Sequence, residues 1–150
     1  AQCGIKMNQG YHPASVWFED GPEGVLFGRR FDLGQFAWLT GVPSPCDLYL
    51  GGTNIPSVDN EWWGYNETGW DNPEYNAICN SALGSLPGQE GYEQYNLEAQ
   101  HIFAQELPAV PLYLRLRLAA TRADMCNFTV DPTGTSFTNI EEYDYGECEE

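Results

Sequence analysis

The chain has 150 residues, enough for one domain with a real core, but its charge is lopsided: six basic residues against 22 acidic ones, for a formal net charge of -16. That balance excludes nucleic acid as a partner, since phosphate contacts need a basic surface, and it disfavours anionic membranes for the same reason. The aromatic share of 14% argues against disorder, while sixteen glycines and ten prolines indicate a loop-rich fold. No window is long and apolar enough to span a bilayer, and Ala1 begins without a basic and apolar signal segment, as expected if an export signal was removed or the chain is a piece of something longer.

Residues 3–8 make a short strand candidate, followed by irregular chain with Gly and Pro turn signals around Asp20-Gly21-Pro22. Residues 31–39 (FDLGQFAWL) alternate with period two, apolar on both faces near the end, which predicts a strand covered on both sides. Residues 41–60 form a Gly/Pro-rich excursion, and 61–70 (EWWGYNETGW) a loop dense in aromatics. Asp71-Asn72-Pro73-Glu74 then predicts a helix start: a capping side chain, proline at the first helical position and an acid in the first turn. Tyr75, Ile78, Ala82 and Leu86 continue it at steps of three or four until Pro87-Gly88.

A second amphipathic helix is expected from about Glu90, with Tyr92, Tyr95, Ala99, Ile102 or Phe103 and Leu107 on one face and Pro108 as its stop. Beyond Pro111 the period changes to two. Leu112, Leu114, Leu116 and Leu118 alternate with Tyr113, Arg115 and Arg117, predicting a strand with one buried face. Residues 135–140 suggest a last short strand before an acidic, frayed end. Helices and strands together indicate an α/β fold, a mixed sheet with packed helices.

Cys3, Cys46, Cys79, Cys126 and Cys148 lack CxxC spacing and stand apart from His12 and His101, so disulfides in an oxidising compartment explain them better than zinc. Cys46 and Cys79 are plausible partners, one after a loop and one inside the next helix. The two histidines read as ordinary helical and loop residues, and no phosphate-binding glycine loop or nucleophile triad is present; no cofactor or metal is expected. Two sequons occur, Asn66-Glu67-Thr68 and Asn127-Phe128-Thr129. The tryptophans concentrate between Trp38 and Trp70, with Trp62, Trp63 and Tyr65 in between. They either fill a small glycine-rich core or line a cleft that holds a ligand against flat rings. A secreted carbohydrate-binding module or a glycoside hydrolase fragment is the alternative that the same rings and acids support.

Three stretches in order resemble the C-terminal part of an extracellular solute-binding protein of the oligopeptide/dipeptide-binding class, in the peptide/nickel-binding family of ABC importer receptors. They are GRRFDLGQFAWL at 28–39, GWDNPEYNAICNSA at 69–82, and the helix, Leu107-Pro108 and Val110-Pro111-Leu112-Tyr113 that follow. The resemblance implies one lobe of a periplasmic-binding-protein-like type II two-lobe fold. Residues 1–120 would be part of the second large lobe, and 121–150 a return toward the first. It also implies a non-catalytic protein that captures a peptide or other small solute and hands it to a membrane permease. The location would be periplasmic or at the cell surface, with a lipid anchor accommodated before Ala1 in a longer parent chain. By the same resemblance Trp38 is the leading ligand contact, with Tyr65, Asn66, Trp63 and Tyr113 as further candidates. Two positions depart from the pattern: the first acid after Trp38 is Asp47, and Asn76 stands where the family usually has aspartate.

Overall fold

The computed structural model describes residues 4, 6–38, 46–113, 118–131 and 139–147. Among the described residues there are three helices: α1 (Ala14–Trp17), α2 (Pro73–Leu83) and α3 (Tyr92–Glu106). Two short strands, β1 (Met125–Cys126) and β2 (Asp144–Tyr145), pair antiparallel with Met125 opposite Tyr145. Single 3-10 turns at Cys46–Tyr49, Gly52–Asn54, Val58–Asn60 and Ile140–Glu142 complete the mixed α/β arrangement. The chain divides into two units, Ala1–Gln35 with Cys46–Ala109, and Phe36–Pro45 with Val110–Glu150.

The α2 start follows from its sequence. Asn72 Oδ1 accepts the N–H groups of Glu74 at 2.9 Å and Tyr75 at 3.0 Å, satisfying two donors that a helix N-terminus otherwise leaves open. Tyr75, Cys79 and Ala82 form its buried face at steps of four and three, and Ala99 of α3 packs into the same core. Leu50, Trp70, Ile78, Ile102 and Phe103 close around them. A disulfide joins Cys46 to Cys79 with Cα atoms 5.8 Å apart, the pairing expected from sequence. Cys126 is disulfide-bonded as well, while Cys3 and Cys148 lie outside the described residues.

The helix starting at Tyr92 matches its pattern as far as Phe103, while Leu107, expected on the same apolar face, is exposed at the cap beyond its last turn. Gly91 supplies the left-handed entry at φ 87°, and a Cβ there would come within 2.8 Å of the Tyr95 ring. Leu107 takes a left-handed conformation, its N–H donating to Phe103 O at 2.8 Å, and Pro108 prevents continuation. Leu86 is a correction: α2 ends at Leu83, and Leu86 is exposed in the following turn. Gly84 and Ser85 close the helix first, Gly84 N–H reaching Asn80 O at 3.0 Å.

The predicted strands do not form among the described residues. Residues 31–38 carry no strand, and Leu33, expected to face a core, is exposed. Phe31 instead stacks on Trp17 of α1, ring centroids 6.3 Å apart. Residues 6–8 are likewise irregular. Of the expected strand at 112–118, Leu112, Tyr113 and Leu118 are exposed coil, and residues 114–117, with Arg115 and Arg117, lie outside the described set. Alternation gives a chain two faces but does not supply the paired neighbour a strand needs, and the described residues of these segments form no strand. Ile140 sits in a 3-10 turn rather than a strand, and residues 132–138 are outside the described set.

Candidate functional site

The loop from Gly51 to Trp70 is built by asparagine side chains standing in for backbone partners. Asn54 accepts Tyr65 N–H through Oδ1 at 3.1 Å, accepts Asn66 N–H through its carbonyl at 3.0 Å, and donates from Nδ2 to Asp47 O at 2.8 Å. Asn60 Nδ2 donates to Thr53 O at 2.8 Å and Ile55 O at 2.9 Å, while its Oδ1 accepts Ser57 N–H at 2.8 Å. Short amides of this kind pair with nearby backbone and so hold turns in place of a sheet ladder. Gly64 is required by close approach, since a Cβ there would lie 2.1 Å from Asn54 O.

Asn66 is fully buried and is the loop's anchor. Its Nδ2 donates to the carbonyls of Tyr49 at 3.2 Å, Leu50 at 3.0 Å and Trp70 at 2.7 Å. Its Oδ1 accepts the Thr68 hydroxyl at 2.7 Å. The amide is thus engaged inside the chain, and the Asn66 sequon has no exposed nitrogen for a glycan. Asn127, in the second sequon, is exposed and donates to Glu142 O at 2.9 Å.

The aromatic residues take different duties. Trp70 packs edge-on against Tyr75 at 4.7 Å and Phe103 at 6.1 Å, and Tyr49 meets Phe103 at 4.8 Å, so these rings belong to the core. Trp62 lies over Gly21, where a Cβ would fall 2.2 Å from its indole. Trp63 is 71% exposed and Tyr65 is 49% exposed, both on the loop that Asn66 anchors. The structure therefore brings Trp63, Tyr65 and Asn66 onto one loop. Trp38 and Tyr113 belong to the second unit, where Trp38 is half-buried and meets Phe36 edge-on at 5.3 Å, and Tyr113 is exposed. Two surface depressions, one on α3 around Leu97, His101 and Ala104 and one at residues 88–94, are not lined by this loop.

Several arrangements had no sequence signal. Glu67 reads as one acid in a polar loop, yet it is 3% exposed and its Oε1 has no hydrogen-bond partner. Burial pushes its carboxyl up to about 7, opposed by a hydrogen bond from its own backbone N–H. Tyr49 is raised above the ordinary phenol range by burial and then by the Glu67 charge. Tyr75 is raised by burial, then by Tyr49 and Asp47, and its hydroxyl donates to Cys46 O at 2.8 Å. Glu106, at the end of α3, receives the Trp70 indole N–H at 2.6 Å and Asn72 Nδ2 at 2.8 Å, tying α3 to the start of α2. Asn76 holds Gly51 N–H at 2.9 Å and donates to Asp71 Oδ1 at 2.8 Å. Among the described residues no group of three or more His, Cys, Asp or Glu could hold a metal ion, and no helix is long and apolar enough to cross a membrane.

Comparison with known proteins gives three relatives. The peptide transport periplasmic protein SapA of Salmonella typhimurium is 30% identical over 141 residues, 93% of this chain and 24% of that protein. The Escherichia coli protein named as a probable ABC transporter periplasmic-binding protein, SapA, matches at the same identity and coverage. The oligopeptide-binding protein OppA of Bacillus subtilis is 25% identical over 88 residues, 59% of this chain and 15% of that protein. All three are named for transport or binding, none for a reaction. No protein-family profile and no solved structure matches the chain. The chain spans about a quarter of the length of the two SapA proteins, and its likeness is to periplasmic binding proteins of peptide transport.

Proposed function

We propose that this chain is part of the ligand-binding lobe of an extracytoplasmic, non-catalytic solute-binding protein that serves an ABC importer and captures a peptide or other small solute. The observation that carries this reading is the similarity to periplasmic peptide-transport and binding proteins across 93% of the chain. The exposed Trp63 and Tyr65 give it a physical basis. An indole and a phenol on an anchored loop offer flat apolar area with a polar edge, and their ordering cost is already met by the loop. Asn66 acts as a positioning residue that holds this loop. Trp38 and Tyr113 are proposed as further contacts of the complete protein on the resemblance alone, as are the membrane permease partner and the division into residues 1–120 and 121–150.

The test is calorimetric titration of short peptides into the complete protein that contains this chain, with Trp63→Ala as the site variant. Binding that weakens at least tenfold in the variant supports the reading. No heat of binding across a broad panel of peptides and sugars overturns the function, and unchanged affinity in the variant overturns the site.

A further inference from the structure

We propose that Glu67 is a proton-controlled latch on the aromatic loop: protonated, it stays packed beneath the loop; deprotonated, it leaves for solvent and releases Trp63 and Tyr65. The geometry comes first. Glu67 is 3% exposed and its Oε1 is buried with no hydrogen-bond partner. A neutral carboxyl tolerates that position, whereas a carboxylate there lacks both water and a counter-charge. The groups around it supply none. Tyr49, on the turn Cys46–Tyr49, is a phenol itself raised by burial and then by the Glu67 charge. Asp47 on the same turn has a buried Oδ1 that also lacks a partner, and Tyr75 of α2 donates its hydroxyl to Cys46 O. Arg29 runs beside Gly69, where a Cβ would come within 3.3 Å of its Nε, but its guanidinium donates to the carbonyl of Pro56. The shift of the carboxyl to about 7 has burial as its largest cause and no cation among its influences.

The lever is covalent proximity. Glu67 lies between Asn66, whose amide ties the loop to Tyr49, Leu50 and Trp70, and Thr68, whose hydroxyl donates to Asn66 Oδ1. Gly69 N–H closes the same turn on Asn66 O at 3.3 Å. Moving the Glu67 side chain into water rotates this turn and loosens the Asn66 anchor, so Trp63 and Tyr65 lose their fixed presentation. The consequence for solute capture rests on the function proposed above; the latch itself does not.

The experiment therefore uses no solute. The chain is labelled with 13C at glutamate carboxyls and 15N at tryptophan indoles, and followed by NMR from pH 4 to pH 9, with Glu67→Gln identifying the Glu67 signal. The expected result is one carboxyl titrating near 7, with the Trp63 indole moving at the same midpoint and that step absent from the variant. The closed loop's population relative to the open loop falls by about 80-fold between pH 4.5 and pH 7 in the wild type. The latch is overturned if every carboxyl titrates in the ordinary range, if Trp63 is indifferent to the Glu67 step, or if the Trp63 step persists in Glu67→Gln. Should that variant not fold, the wild-type titration and Glu67→Ala decide the same points.

Discussion

Replacing Asn66 by alanine removes the side chain that joins the turn Cys46–Tyr49 and Leu50 to Trp70. Its Nδ2 carries only two protons, yet three carbonyls lie within 3.2 Å, so one proton is shared and the side chain supplies about two full donor bonds. A buried carbonyl left without a partner costs about 1–3 kcal/mol, and water reaching the site relieves part of that. The expected loss for Asn66→Ala is therefore about 3 kcal/mol, read as a fall in the urea midpoint at constant slope with tryptophan fluorescence as the signal. Asn66→Asp is the sharper test. It keeps the shape and the acceptor for Thr68, loses the donor, and places a negative charge against three carbonyl oxygens. It must destabilise more than alanine does. An aspartate variant as stable as the alanine one, or an alanine variant within about 0.5 kcal/mol of wild type, refutes the anchoring role.

Removing the Cys46–Cys79 disulfide by a Cys46→Ser/Cys79→Ser double change frees a loop with a sequence separation of 33 residues, and should cost about 4 kcal/mol in guanidinium unfolding. Trp63→Ala should leave stability within about 0.5 kcal/mol, because the ring is exposed, while lowering solute affinity in the complete protein by about 2 kcal/mol in calorimetry. For Glu67 the folded carboxyl titrates at about 7 against an ordinary 4.5, so the folded state holds the proton more tightly and stability falls as pH rises between those values. Unfolding free energy should be highest below pH 4.5 on this account and lower by up to about 3 kcal/mol above pH 7; Glu67→Gln should flatten that slope in denaturation series across the same range.

How legible the fold was depended on how local its causes are. The α2 start was plain in Asn72-Pro73-Glu74, and the α3 stop in Leu107-Pro108, because caps and prolines act within one turn of chain. Residues 31–38 and the flanks of the Leu112 pattern were misjudged because alternation is only half of a strand; the other half is a neighbour supplied by distant chain. The strands among the described residues, Met125–Cys126 and Asp144–Tyr145, are two residues each and too short to show any period. The site was legible as an aromatic-rich loop but not as a division of labour. Nothing local separates Trp63, exposed, from Trp70, held by Glu106 and Tyr75. Nor does sequence reveal that Asn66 and Glu67 turn inward, since polar residues in a glycine-rich loop ordinarily face water.

The inward turn of Asn66 also makes its sequon a clock. An oligosaccharyl transferase can reach that nitrogen only before the loop closes on Tyr49, Leu50 and Trp70. In a host that carries out N-glycosylation, folding and modification would compete for the same side chain. A sugar attached there would mark a molecule in which the transferase arrived first, with no room to complete the loop around it. The occupied fraction would then report how quickly residues 51–70 close during synthesis, and expression where that machinery is absent, or as Thr68→Ala, would remove the contest.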